Sequence, residues 1–494
     1  MQTVSVTCEA GEIQGRVKEE ALLFAGIPYA QPPVGNLRFK APQPLRPFSE
    51  PFPALKFGAA APQIPSGGMT DSAPVRWDED CLTLNISAPI GIEDDVRKRA
   101  VLVWIHGGGY RTGQGAIPWY NGTRFARDQD IVVVSINYRL GALGFADLTH
   151  LGAEFKTSNV NGMLDQIAAL QWVQRNISAF GGDPTKVTIA GESAGAFSVG
   201  ALMGCPAAKG LFTRAIAQSG AAQHTLNPEA AQTVGKAFCA QLQQDNAVGL
   251  LAASVEDILS AQNATAAEFE SGAGVISKLG TSVSTFYPVH NTELLPEDPL
   301  QAITSGNAAN VDVLIGSNSD ETTLWGHGEV DEAKLQRIAA EFNVNHGISA
   351  YRTNRPEANA AELLVALTSD HMFRIPGIRL AEAQIEHTPN VWMYLFDWKS
   401  RAFDGRLGAT HALEIPFAFN NLDRAGVDAF IGPGPMPQHL ADTMHDAWSA
   451  FIKTGTLDWP GYTLAHRTTM VFNDTSATVD DPMSEERAIW QGVR

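Results

Sequence analysis

Hydrophobic residues in this chain gather in short, nearly unbroken runs. Val101–Ile105, Ile131–Ile136, Val187–Ala190, Val311–Gly316 and Val391–Phe396 are the clearest. A strand with one wet face alternates apolar and polar positions, whereas a strand covered on both faces, as in a parallel sheet under helices, does not. Between these runs the spacing changes. Residues 161–176 place Met163, Ile167 and Leu170 on one side of a helix, and 194–203 are apolar, Ala-rich and free of Pro, which predicts a buried helix. Residues 215–220 continue the sheet. This strand–helix alternation predicts an α/β architecture, a large and mostly parallel central sheet with helices on both faces. Residues 3–30 read as short strands and turns. Phe24–Gly35, punctuated by Gly and Pro, reads as an irregular loop that is neither helix nor strand. Residues 58–78 read as a mobile surface loop, and 226–305 as polar helical insertions.

Composition narrows the picture. A length of 494 residues would allow about three domains, but no linker offers a cut, so residues 1–494 are expected to form a single domain. No apolar run is long enough to span a bilayer. The first residues, Met1–Cys8, lack a basic segment followed by an apolar one, which points to a cytoplasmic protein. The four cysteines, Cys8, Cys81, Cys205 and Cys239, form no C-x-x-C pair and are expected to be free thiols. They suggest no metal site, and no cofactor is expected. A net charge of −18 repels nucleic acids and anionic membranes.

The chemistry centres on Gly191-Glu192-Ser193-Ala194-Gly195. A short strand precedes it and a helix follows, the context of a G-x-S-x-G nucleophile elbow. There the turn is strained, the serine hydroxyl stands clear of the sheet, and the free N–H groups of the helix point at the reacting centre. A second piece follows the run 101–105: His106-Gly107-Gly108-Gly109-Tyr110. Side-chain-free backbone there can approach a substrate and supply oxyanion donors beside the N–H of Ala194. Asp320 and Glu321 lie just past the strand at 311–316, and His411 follows a glycine loop. The order Ser193, acid, His411 is that of α/β-hydrolases. His290 is the rival histidine. Glu192 reads as a structural group leaving the elbow on the opposite side, and Glu414 as a brace for the histidine loop.

Together these blocks resemble the type-B carboxylesterase family, which includes cholinesterases and bacterial p-nitrobenzyl esterases. The resemblance runs through Phe24–Pro42, Glu79–Asn85, His106–Tyr110, Asn176–Ser198, Gln218–Gly220, Glu321, His411–Phe417, Trp448–Gly455 and Trp459-Pro460. It implies an α/β-hydrolase fold with helical insertions around a gorge. It implies a serine carboxylesterase that hydrolyses neutral esters through an acyl-enzyme on a Ser193–Glu321–His411 triad. The oxyanion donors would be Gly108, Gly109 and Ala194, and a structural ion pair would join Arg38 to Glu79. Carbamate or amide hydrolysis by the same triad is the alternative, and a non-catalytic binding protein a further one. The partner implied is a small ester, without nucleic acid or membrane, and the chain a monomer or weak homo-oligomer. The sequence departs from the family in two places. Thr322-Thr323 follow the acid where Gly is frequent, and the loop before Cys81 offers neither a cysteine partner nor a Trp at the choline-binding place. Choline esters are therefore not expected. An apolar pocket lined by Tyr110, Ala196, Phe197, Phe286, Phe417 and Phe419 is expected instead.

Overall fold

The computed structural model describes residues 2–65, 75–92, 96–269 and 284–493. Thirteen strands among them build one sheet. They are β1 (Thr3–Cys8), β2 (Gly11–Lys18), β3 (Ala21–Pro28), β4 (Phe52–Pro53), β5 (Thr83–Ala88), β6 (Arg99–Ile105), β7 (Val132–Ile136), β8 (Gly182–Glu192), β9 (Arg214–Gln218), β10 (Asp312–Asn318), β11 (Val391–Phe396), β12 (Thr468–Phe472) and β13 (Ala477–Asp480). Their order in space is β1-β2-β3-β5-β7-β6-β8-β9-β10-β11-β12-β13, with β4 beside β2. From β7 through β12 every pairing is parallel. The outer pairings are antiparallel, apart from the short β2–β4 contact.

The unbroken apolar runs are explained by two cores, one on each face. Along β6, Val101, Val103 and Ile105 enter one cluster and Leu102 and Trp104 the other. Along β11, Val391 and Met393 point one way and Trp392 and Tyr394 the other. The helix Asn161–Asn176 packs Met163, Ile167 and Leu170 into the first core. Gln438–Thr454 packs Met444, Trp448 and Phe451 into the second. Both faces are therefore dry, and each strand residue offsets its ordering entropy with buried area at about 25 cal/mol per Å².

Two expectations need correction. Phe24–Pro28 belong to β3, not to a loop, because the apolar run Ala21–Ile27 dominates its glycine. Gly26 is absorbed as a register shift between Phe24 and Ile27, with φ 76° and its N–H donated to Asn85 Oδ1 at 2.9 Å. The stretch expected to be a mobile surface loop is buried at residues 60–63. Gln63 clamps Gly113 there, accepting its N–H and donating to its carbonyl, both at 2.9 Å. Residues 66–74 of that stretch lie outside the described residues. So do 270–283 of the helical insertion, whose described parts include helices Pro228–Leu242 and Val255–Phe269. Arg38 and Glu79 form a two-pronged ion pair at 2.6 Å, and the same guanidinium donates to the carbonyls of Leu251 and Ala253. It ties the N-terminal loops to the insertion. All four cysteines are unpaired, and among the described residues no helix is long and apolar enough to cross a membrane.

Candidate active site

Ser193 sits between β8 and the helix Ala194–Met203, with φ 55° and ψ −124°. A positive φ in a residue with a Cβ costs about 1–3 kcal/mol and persists only when the surroundings over-determine it. They do so here. A Cβ on Gly195 would stand 2.0 Å from the Ile105 carbonyl oxygen, and one on Gly191 2.5 Å from the Gly195 carbonyl carbon. The chain can reverse this tightly only through glycine. Ser193 N–H donates to Gln218 O at 3.0 Å, which ties the turn to β9. Ala194 opens the helix, so its N–H is one of the first-turn donors with no acceptor inside the helix.

The loop after β6 is shaped by the same means. Gly108 and Gly109 have φ 112° and 61°, and a Cβ on Gly108 would fall 2.2 Å from Thr112 O. The N–H groups of Arg111 and Thr112 close the turn onto Gly108 O at 3.0 Å each. The N–H groups of Gly108 and Gly109 have no acceptor among the described residues. Gly107 lies against the elbow: its Cβ would stand 3.1 Å from Ser193 Cβ and 2.8 Å from Glu192 Oε2. Two glycine-rich turns on neighbouring parallel strands therefore face each other across the serine. His106 anchors the loop, its carbonyl accepting from Tyr138 Oη at 2.8 Å. Burial lowers its pKa to about 4, so the ring is neutral.

The opposite wall is made of charges. His411 Nδ1 lies 2.5 Å from Glu321 Oε2, and His411 N–H donates to Glu321 O at 3.2 Å. The other oxygen of Glu321 accepts Asn318 N–H at 2.8 Å. Asp320 turns away, its Oδ2 accepting Ala409 N–H at 2.9 Å and Lys399 Nζ at 2.6 Å. The two adjacent carboxylates thus divide the work of holding the histidine and holding its loop. His290 is elsewhere, bonded through Nδ1 to Thr225 Oγ1 at 2.9 Å.

Glu192 does not leave on the far side. Its Oε1 is 3.0 Å from His411 Nε2, and both side chains are 5 % exposed. The strained turn breaks the alternation of the strand, so residues 192 and 193 both come to the Gly107 side. Burial lowers the His411 pKa, but Glu192 and Glu321, one at each ring nitrogen, outweigh it and hold the pKa well above its ordinary value. Burial raises the Glu192 carboxyl against the pull of the imidazole. Glu414 is fully buried, and burial together with the charges of Glu192 and Glu321 lifts it to about 8. It braces the site as a hydrogen-bonding group: Asn318 Nδ2 donates to it at 2.7 Å and Gln218 Nε2 at 3.1 Å. Trp448 Nε1 fixes Gln218 in turn at 2.9 Å.

Phe417 and Phe419 are buried rather than facing Ser193 or His411 across an open pocket. They belong to the second core, packed on Phe396 and Trp398 and on Trp104 and Phe125. Phe286 is fully buried against Phe238. Two rings not anticipated from sequence touch His411 instead: Phe373 and Trp325, with centroids 4.7 and 4.9 Å from the imidazole. Trp325 closes the short turn that begins at Glu321, so its distance of four residues from a carboxylate past a sheet strand was the available signal. Phe373, in the π-turn Asp370–Arg374, carried none. It also lines a small apolar pocket with Ile378, Met393 and Leu395, whose lining does not include Ser193 or His411. Among the described residues no three His, Cys, Asp or Glu are grouped as metal ligands.

Comparison with known proteins adds the following. The carboxylesterase family model matches residues 2–490. The chain is 35 % identical to the para-nitrobenzyl esterase of Bacillus subtilis (strain 168), over 98 % of this chain and 97 % of that one. It is 36 % identical to the phenmedipham hydrolase of Pseudarthrobacter oxydans, over 95 % of each. The crystal structure of the Geobacillus stearothermophilus carboxylesterase EST55 superposes with a TM-score of 0.87 at 36 % identity, covering 99 % of this chain and 100 % of that one.

Proposed function

The chain belongs to the carboxylesterase family and is a carboxylic ester hydrolase; on that premise we propose that Ser193, His411 and Glu321 are its catalytic triad and that Gly108, Gly109 and Ala194 form its oxyanion hole. Ser193 Oγ attacks the ester carbonyl while His411 Nε2 takes its proton. Glu321 keeps the other ring nitrogen protonated and stabilises the imidazolium. The three N–H groups receive the oxyanion, each worth about 3–4 kcal/mol in the transition state. The alcohol leaves with the proton from His411, and water repeats the sequence on the acyl-enzyme.

The observation that carries this reading is the 2.5 Å contact of Glu321 with His411, between residues ninety positions apart, with Ser193 held at positive φ next to Glu192, which reaches the same imidazole. Carbamates would meet the same groups, and the likeness to the phenmedipham hydrolase supports keeping them in the substrate range. A cytoplasmic setting is supported by the four unpaired thiols. The test is labelling with a fluorophosphonate. Mass spectrometry should place the adduct on Ser193 and ester turnover should cease in step with it; an adduct on Ser219, also at positive φ, would reject the assignment.

A further inference from the structure

The three proposed oxyanion donors come from two elements. Gly108 and Gly109 lie in the loop after β6, and Ala194 opens the helix after Ser193. The β6–β8 ladder that aligns these elements ends at Ile105 opposite Gly191, before any donor is reached. Tyr110 directly follows Gly109 and has φ 56°. Glycine adopts that conformation freely, whereas a residue with a Cβ is strained in it. The side chain supplies the reason for a tyrosine there. It is fully buried, with its ring centroid 4.8 Å from that of Phe145 and 5.6 Å from that of Tyr287. Its Oη shares a hydrogen bond with Ser198 Oγ at 3.1 Å. Ser198, also fully buried, stands one helical turn beyond Ala194, and its Oγ lies 2.9 Å from the Ala194 carbonyl oxygen. Gln166 Nε2 donates to the same Oγ at 2.9 Å. The residue next to two of the donors is thus bonded to the helix turn that carries the third.

We infer that Tyr110 is a positioning residue, whose hydrogen bond to Ser198 sets the spacing between the two halves of the oxyanion hole. The inference rests on the reading of Gly108, Gly109 and Ala194 as the donors. Such donors act at about 2.7–3.1 Å from the developing oxyanion, so a small shift of the loop against the helix weakens them. The close approach of Gly107 to Glu192 and Ser193 limits how near the loop can come. It does not prevent the loop from moving away. A buried hydrogen bond between the two elements opposes that movement, and no water competes for it. Two other bonds hold the loop elsewhere: Tyr138 Oη donates to His106 O at 2.8 Å, and Gly141 N–H to Tyr110 O at 2.6 Å. Both tie it to residues 138–141 rather than to the helix. Burial pushes the Tyr110 pKa well above its ordinary value, so its hydroxyl keeps its proton and brings no pH dependence of its own.

The test is Tyr110→Phe, which keeps the ring and leaves Ser198 its contacts with Ala194 and Gln166. Its kcat for p-nitrophenyl butyrate should fall about 10- to 100-fold, the scale of a misplaced reacting group. KM should stay within about twofold, since the lost interaction belongs to the transition state, and both pH limbs should stay in place. Affinity for a trifluoromethyl ketone, whose adduct with Ser193 presents an oxyanion to the same donors, should fall by the same factor as kcat/KM. Ser198→Ala should show the same losses, and the double variant should be no slower than the slower single one. Native kcat and native ketone affinity in Tyr110→Phe overturn the inference whatever the Tm, since the ring then serves packing alone. A loss of kcat without a loss of ketone affinity overturns it too, as do losses that multiply in the double variant. If Ser198→Ala does not fold, the two readouts of Tyr110→Phe decide. Gly108→Ala separates this failure from that of the donors themselves. A loss there with none in Tyr110→Phe leaves the donors as assigned and removes the inference; no loss in either overturns both.

Discussion

The two walls of the site are built by different physics. The serine wall, Gly107–Gly109 with Gly191–Gly195, is held by volume exclusion: added methyl groups would stand 2.0–2.6 Å from neighbouring backbone at Gly107, Gly108, Gly191 and Gly195. The histidine wall, Glu321, His411, Glu414 and Glu192, is held by charge and hydrogen bonds in a dry interior. A steric wall is indifferent to pH and fails by strain. A charged wall titrates, and its members shift one another. A mutation on one side should therefore change rate without moving the pH profile, and on the other should move the profile as well.

The largest effect tests which carboxylate belongs to the histidine. Glu321→Gln should lower kcat by about 10⁴, the usual consequence of losing the group that orients the base. Asp320→Asn should leave kcat within a small factor and lower stability by about 1 kcal/mol through its bonds to Ala409 and Lys399. Assay of both purified variants, with circular dichroism for folding, decides it; the opposite ranking would give Asp320 the role.

Gly108→Ala tests the steric wall. Its methyl group would collide with Thr112 O, tilting the loop and with it an oxyanion donor. A fall of about 10²–10³ in kcat is expected, with the pH limbs unmoved. A displaced limb would show that the loop also sets the histidine's charge.

A smaller change is expected from Glu192→Gln. Glu192 raises the His411 pKa, so its neutralisation lets the imidazole shed its proton at lower pH. The acid limb of kcat/KM should move to lower pH, and activity below that limb should rise relative to the plateau. An acid limb at its native position would mean that Glu192 does not act on the base.

The smallest effect is on stability. Glu414 titrates near pH 8 in the folded chain against 4.5 for an ordinary glutamate, so between those values the folded state holds more proton than the unfolded one. Stability from this group is full below about pH 4.5 and declines as pH rises toward about 8. Glu414→Gln should flatten that part of the Tm–pH curve. A slope as steep as the native one would place the titration in another residue.

The steric wall was legible in sequence because its causes are local. Strand, glycine, serine, glycine and helix follow one another, and the helices 161–176 and 194–203 begin and end where their composition placed them. The two-faced burial of the sheet was legible for the same reason, since an apolar run without alternation leaves no wet face. The Phe24–Pro28 strand is not legible in this way, because the Gly and Pro residues of Phe24–Gly35 carry a loop signal while the apolar run Ala21–Ile27 takes the chain into the sheet. The charged wall could be listed but not assembled. Nothing in the order of residues says that Glu192 turns toward His411, since that follows from a φ of 55° one residue later. Nor does it say that Phe419 goes to the core while Phe373 and Trp325 meet the imidazole. Those outcomes depend on which distant segments the sheet brings to its carboxyl edge and on how completely water is excluded there. Local sterics act over a few bonds and are written in neighbouring residues; electrostatics and packing act across space, and only the folded chain supplies the distances that decide them.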